Sequence, residues 1–131
     1  MLISIDQDDP RPIYLQIAAA IKEQLCRGQL GPGDELPSVR ELAGALGVNL
    51  HTVRHAYRVL GEQGVVRLGL ARRARILPPP KHPPGRQQLE QTLLPRLREL
   101  VADATQLGVS DDGLRQLMDR AILTSKRRRK K

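Results

Sequence analysis

The chemistry most legible in this chain lies in one short stretch, where His51, Thr52, Arg54, His55 and Arg58 follow one another at close spacing. Separations of three and four place these groups on one side of a helix. Imidazole, hydroxyl and guanidinium groups arranged this way offer hydrogen-bond donors and positive charge. Such a face is either solvated surface or a nucleic-acid reader, since Arg can hold a phosphate or the O6/N7 edge of guanine with two bonds. Catalysis is not what they suggest. No Ser/His/acid grammar, phosphate-cradling glycine loop or paired carboxylates accompany them, so no enzyme activity is expected. The single Cys26 excludes a disulfide framework and a cysteine-rich zinc site. His82 has no ligand partners at a useful spacing. No metal and no cofactor are therefore expected.

These residues need a helix to carry them, and the stretch Pro37–Gly64 supplies two. Val39, Leu42, Ala43 and Leu46 recur at helical spacing, Gly47 interrupts, and Leu50, Val53, Ala56, Tyr57 and Leu60 resume the period. Ser38 followed by Glu41 is a capping box for the first helix, and Asn49 is a favoured N-cap for the second. Gly47 can take the positive φ that a sharp turn demands. Ala43, small and four residues earlier, lets the helices cross closely, as a DNA-binding helix-turn-helix requires. Tyr57 falls on the inward face and is assigned to the core.

With the flanking PIYLQI (Pro12–Ile17) and PGDELPSVRELA (Pro32–Ala43), this stretch resembles the GntR family of bacterial transcription regulators. The match covers about Ile5 to Leu70, and the short C-terminal part is similar to the YtrA-like branch. The resemblance implies a winged helix-turn-helix domain, DNA as partner, and a dimer. It implies base or phosphate contacts at Arg40 and along the recognition helix at Asn49, His51, Thr52, Arg54 and Arg58; Ser38 and His55 complete that set. Leu50 occupies a place where some relatives carry Arg. It also implies that the loop before Pro37 holds a short strand pairing with the wing. VVRLGLARRARIL (Val65–Leu77) reads as two strands around a turn. The family's Gly-x-Gly wing signature is absent, replaced by Ala71, Arg72, Arg73, Ala74 and Arg75. A wing that reaches DNA by charge through Arg72, Arg73 and Arg75 is expected.

Charge supports an anionic partner in its distribution more than in its sum. The chain carries a net +8 over 131 residues, but Lys126–Lys131 holds six of those charges and leaves +2 for the remainder. The segment from Arg40 to Arg75 has seven Arg against Glu41 and Glu62, a local excess of the kind that nucleic acid attracts. Two Tyr with no Trp or Phe offer little for a large aromatic ligand pocket, and nothing points to a small-molecule effector. No apolar run approaches the roughly 20 residues that span a membrane. No signal peptide is legible at the start, and a cytoplasmic location is expected.

Further elements follow in order. Ile3 and Ile5 lead in as an irregular or extended arm. Ile13, Ile17, Ile21 and Leu25 make the stripe of a first helix that Gly28 ends, with Cys26 read as a buried small apolar residue. Pro78–Gly85 contains five of the ten prolines and reads as a stiff linker. Beyond it Leu89, Leu93, Leu97, Leu100, Ala104 and Leu107 share a helical face, with Pro95 expected to kink or break the helix. Gly108 stops it, Ser110 caps the next, and Leu114, Leu117, Met118 and Ala121 form a second stripe. The fold class expected is mainly α with a small β wing (α+β): winged helix-turn-helix over 1–77, linker 78–85, helical hairpin for dimerisation over 86–125, and a basic disordered tail 126–131. Leu89, Leu93, Leu97, Leu100, Leu107, Leu114 and Leu117 are the expected dimer residues, because two such helices make a poor core alone. The function expected is a sequence-specific DNA-binding transcription regulator, a homodimeric repressor on a two-fold symmetric operator. The alternative is a basic architectural or nucleoid protein with little sequence preference.

Overall fold

A computed structural model of the chain describes residues 3–69 and 73–126. Its described elements are α1 (Ile13–Cys26), α2 (Val39–Leu46), α3 (Leu50–Glu62), β1 (Val66–Arg67), β2 (Arg75–Ile76), α4 (Arg86–Gln106) and α5 (Asp111–Lys126). The chain divides into two compact units between Pro79 and Pro80.

In the first unit Pro12 precedes α1 with a φ of −54°, at a position where its missing N–H leaves no helical bond unmade. Ile17 and Ile21 are fully buried and Ile13 and Leu25 pack beside them, so the four-residue spacing marks the inward stripe. Cys26, one position beyond Leu25, turns away from that stripe and is exposed, which corrects its assignment to the core. Both α1 and α2 pack on α3, making α3 the central element of the unit. Its buried side is Val53, Ala56, Tyr57 and Leu60. Removing large apolar side chains such as Val53 and Leu60 from water stabilises a fold by about 1.5–3 kcal/mol each.

Local bonds explain where the two short helices start and stop. Ser38 Oγ accepts the Glu41 N–H at 3.1 Å, and the Ser38 N–H donates to Glu41 Oε1 at 2.9 Å, so both halves of the capping box form. Gly47 takes φ 68° and donates its N–H to the Ala43 carbonyl. A Cβ at Gly47 would meet no atom; the backbone conformation alone selects glycine there. Asn49 Oδ1 then accepts the His51 N–H at 2.7 Å and caps α3.

The wing is a two-stranded antiparallel sheet with Val66 opposite Ile76 and Arg67 opposite Arg75. Each strand is only two residues long, shorter than the alternation in the sequence suggests. The loop before α2 supplies the third edge: Glu35 bridges antiparallel to Arg75. The Leu36 N–H donates to the Ala74 carbonyl at 2.8 Å and the Ile76 N–H to the Asp34 carbonyl at 2.9 Å. This pairing buries Leu36 completely and ties the wing to the start of the helix-turn-helix. The N-terminal arm is held by Gln16, itself buried, whose Oε1 accepts the Asp6 N–H at 3.0 Å and whose amide donates to the Asp6 and Arg11 carbonyls.

Pro78–Gly85 is exposed over most of its length and carries neither helix nor strand. In the second unit α4 runs unbroken through Pro95, so of the kink or break expected there the break does not occur. Proline removes one main-chain bond, and the remaining turns carry the helix across it. Gly108, at φ 79°, ends α4, and Ser110 Oγ accepts the Gly113 N–H at 3.0 Å at the start of α5. α4 and α5 make little contact along their lengths. Ala104 is the one buried apolar residue of this unit among those described. Leu89, Leu93, Leu97, Leu100, Leu107 and Leu117 are all exposed, and Leu114 is half-buried. The basic tail expected over 126–131 lies outside the described residues, apart from the last position of α5. No helix of the described residues is long and apolar enough to cross a membrane.

Candidate nucleic-acid interface

The side of α3 opposite its core stripe carries His51, Arg54 and Arg58, all exposed, with Thr52 half-buried at its edge. Arg54 Nη1 donates to His51 Nδ1 at 3.1 Å, an i,i+3 contact that holds the guanidinium along the first turn. Arg40 stands exposed in the first turn of α2. Neither Arg40 nor Arg58 enters an ion pair among the described residues, which leaves both guanidinium groups available to an outside acceptor. Ser38 and Asn49 occupy the N-caps of α2 and α3. Their side-chain oxygens are already accepting main-chain bonds, so the Asn49 amide group and the Ser38 hydroxyl proton are what each could still offer.

His55 is placed differently from its neighbours. Its ring stacks on Tyr14 of α1, with centroids 3.8 Å apart and planes 14° from parallel, and it is half-buried. It therefore joins α1 to α3 on the flank of the outward face. Helical spacing groups His55 with Arg54 and Arg58, but only the position of α1 decides that its ring is covered.

The wing arginines Arg73 and Arg75 form exposed ion pairs within their own domain. Arg73 makes a two-bond pair with Glu41, its Nη2 donating to Oε2 at 3.0 Å while Nη1 meets Oε1. Arg75 Nη1 donates to the Gly33 carbonyl at 3.0 Å and Nη2 pairs with Glu35 at 2.9 Å. Instead of reaching outward, both bind their own domain, because the third-edge pairing brings acidic side chains of the loop and α2 under the wing. Arg72 lies outside the described residues. Glu41 thus has two roles, capping α2 and latching the wing. The Arg73 hydrogen bond, with the Ser38 N–H second, holds its carboxyl below the usual carboxylate range. The capping role is legible as Ser-x-x-Glu; the latch joins residues 32 apart and has no local signal.

Between the α2 N-terminus, α3 and the wing lies an open cleft of about 530 Å³. Ser38, Arg54, Arg58 and Arg73 line it together with Tyr57 and Leu68. Of these, Arg54 and Arg58 have no acidic partner among the described residues, whereas Arg73 and the α2 amino end are already held by Glu41. Arg40, Asn49, His51 and Thr52 lie outside its lining. Tyr57 forms its floor as a core residue: the phenol donates to the Pro37 carbonyl at 2.6 Å, and burial pushes its pKa well above the ordinary value. Gly61 admits the wing closely, since a Cβ there would stand 3.0 Å from Leu68 Cδ1.

The fold that carries these residues is shared with known proteins. The model of the bacterial regulatory proteins of the gntR family matches residues 13–74, which spans α1, the helix-turn-helix and the first strand of the wing. The HTH-type transcriptional repressor YtrA of Bacillus subtilis is 45% identical over 65 residues, covering 50% of each chain. The chain spans about half or less of the length of the curated relatives it matches. Among solved structures, a transcriptional antiterminator of Listeria monocytogenes superposes with a TM-score of 0.84 at 30% identity, over 96% of this chain and 93% of that one. YtrA of Sulfolobus acidocaldarius, a GntR-family transcription factor, superposes with a TM-score of 0.59 at 39% identity, over 75% of this chain and 99% of that one. A winged helix-turn-helix whose recognition helix is basic, matched along nearly the whole of a solved GntR-family factor, makes this chain a member of the GntR family of DNA-binding transcription regulators.

Proposed function

We propose that the chain acts as a homodimeric repressor that reads a two-fold symmetric DNA site. The observation that carries this is the exposed basic side of α3, whose Arg54 and Arg58 have no acidic partner among the described residues. An α-helix fits the major groove, where guanidinium groups pair with guanine edges. Arg54 reads bases from the first turns of α3, Arg40 approaches from α2, and Arg58 and the cleft hold a phosphate. His51, Thr52 and the Asn49 amide lie along the same entry and extend it. Phosphate contacts set register and base contacts set sequence.

The dimer follows from the second unit. Its leucines stay exposed within one chain, and an apolar stripe of this length is stable in water only when covered. A second copy doubles the reading heads and spaces them about 34 Å apart, one turn of duplex. Repression is favoured by the named repressors among its relatives. The linker 78–85 between the units supports separate reading and dimerising parts.

Fluorescence anisotropy with duplex from the region upstream of its own gene, against a scrambled duplex at two salt concentrations, tests the reading. A preference of about a thousandfold or more that survives added salt is expected. Equal affinities that collapse together with salt would instead establish an architectural protein held by phosphate attraction.

A further inference from the structure

We propose that α4 is a self-complementary seam along which two copies pair antiparallel, Arg96 of each facing Asp103 of the other. This rests on the homodimer reading above and adds its orientation and register. Along α4 the stripe Leu93, Leu97, Leu100, Ala104 is spaced four, three, four. About a point between Arg98 and Glu99, the exposed Leu97 mirrors the exposed Leu100, while Leu93 mirrors Ala104, which is already buried within its own chain. A two-fold contact needs such a mirror, because each patch must fit its own reversed copy.

The flanks select the direction. Arg96 and Asp103, seven residues apart, lie on one side of the stripe and line an open groove of about 470 Å³ with Leu93, Leu97 and Leu100. Neither forms an ion pair among the described residues. Leu94 and Val101, also seven apart, occupy the other flank, where Val101 is 49% exposed. When helices pair antiparallel, like flanks meet. The charged flank then faces itself with two Arg96–Asp103 pairs, and the apolar flank covers itself. In a parallel pairing unlike flanks meet, each such residue lying beside the one five positions on in its partner; Arg96 would then press on Val101 and Asp103 would fall beside Gly108, both without a charged partner. Glu99, on the groove one turn from Asp103, strengthens its acidic end.

Sedimentation equilibrium on the full chain tests this, with circular dichroism as a check that the exposed substitutions leave the helices intact. Arg96→Glu alone and Asp103→Arg alone each set like charges opposite one another twice. Each is expected to weaken self-association roughly tenfold, or about 1.4 kcal/mol, the scale of two exposed ion pairs. The double variant restores the homodimer to within about twofold of the wild type. An equimolar mixture of the two single variants forms a heterodimer of the same strength, since the introduced glutamate then meets the introduced arginine and the native Asp103 meets the native Arg96. Wild-type dimers indifferent to both substitutions, or single variants that do not complement on mixing, would overturn the antiparallel seam while leaving the homodimer in place. A wild-type chain that stays monomeric at tens of micromolar would overturn both.

Discussion

In the first unit Ile17, Ile21, Val53 and Leu60 are wholly buried, whereas in the second Leu93, Leu97 and Leu100 stand 42–46% exposed. The side chains are chemically alike; what differs is whether one chain can surround them. Three helices and a three-edged wing enclose a core, because α1 and α2 both fall on α3 and the loop carrying Leu36 closes the gap. Two helices that make little contact along their lengths enclose almost nothing. The first unit therefore derives its stability from within the chain; under the proposed dimer, the second is expected to be stabilised by its copy and to vary with protein concentration.

Breaking each kind of burial separates the two. Leu60→Ala, in the core of α3, should cost about 2–5 kcal/mol of unfolding free energy, read by denaturant melts and independent of protein concentration. Leu97→Glu should leave the melt of the first unit unchanged, yet abolish self-association in sedimentation and lower affinity for a two-half-site duplex by about a hundredfold or more. A half-site duplex should bind as before. If Leu97→Glu instead lowers the melt of the first unit, the units are not separable in this way.

Within the first unit, Arg54→Ala should weaken binding to the specific duplex by about 1–3 kcal/mol and relax sequence preference, without a stability change. An equal loss on scrambled DNA would reassign Arg54 to phosphate. The smallest effect concerns the wing latch. The Glu41 carboxyl is held below its ordinary value by Arg73, so the contribution is present above the unfolded carboxylate range and is lost as pH falls through the lowered value. Glu41→Gln should lower the melting temperature slightly at neutral pH, with the gap closing as the solution is acidified through that range. A gap that persists at the acid end would show that the pair adds nothing.

Periodicity and caps make most of the first unit legible. The Ile13 to Leu25 stripe, the Ser38–Glu41 box, the Gly47 turn and the Asn49 cap are all local, and local bonds are written in neighbouring residues. The exposure of Cys26 is not legible, because a stripe one residue wide leaves the next position undecided until the helix has a neighbour. Nor is the unbroken path of α4 through Pro95, because the proline rule weighs one lost bond without weighing the turns on either side. Gln16, which pins the arm, and Leu36, which seals the core, lie in no periodic pattern. Their burial depends on segments far away in sequence.

For the interface the division is the same. The amino-acid sequence alone determined that α3 exists, that its outward side is basic, and that a leucine stripe follows a proline-rich segment, since each depends on residue type and spacing within a few turns. Tertiary structure alone decided which of those cations remain available. His55 is stacked on Tyr14, Arg73 and Arg75 are bound to Glu41 and Glu35, and Arg40 and Arg58 have no ion-pair partner among the described residues. A charge is a property of one residue, but its availability is a distance to another, and only the packed chain sets that distance.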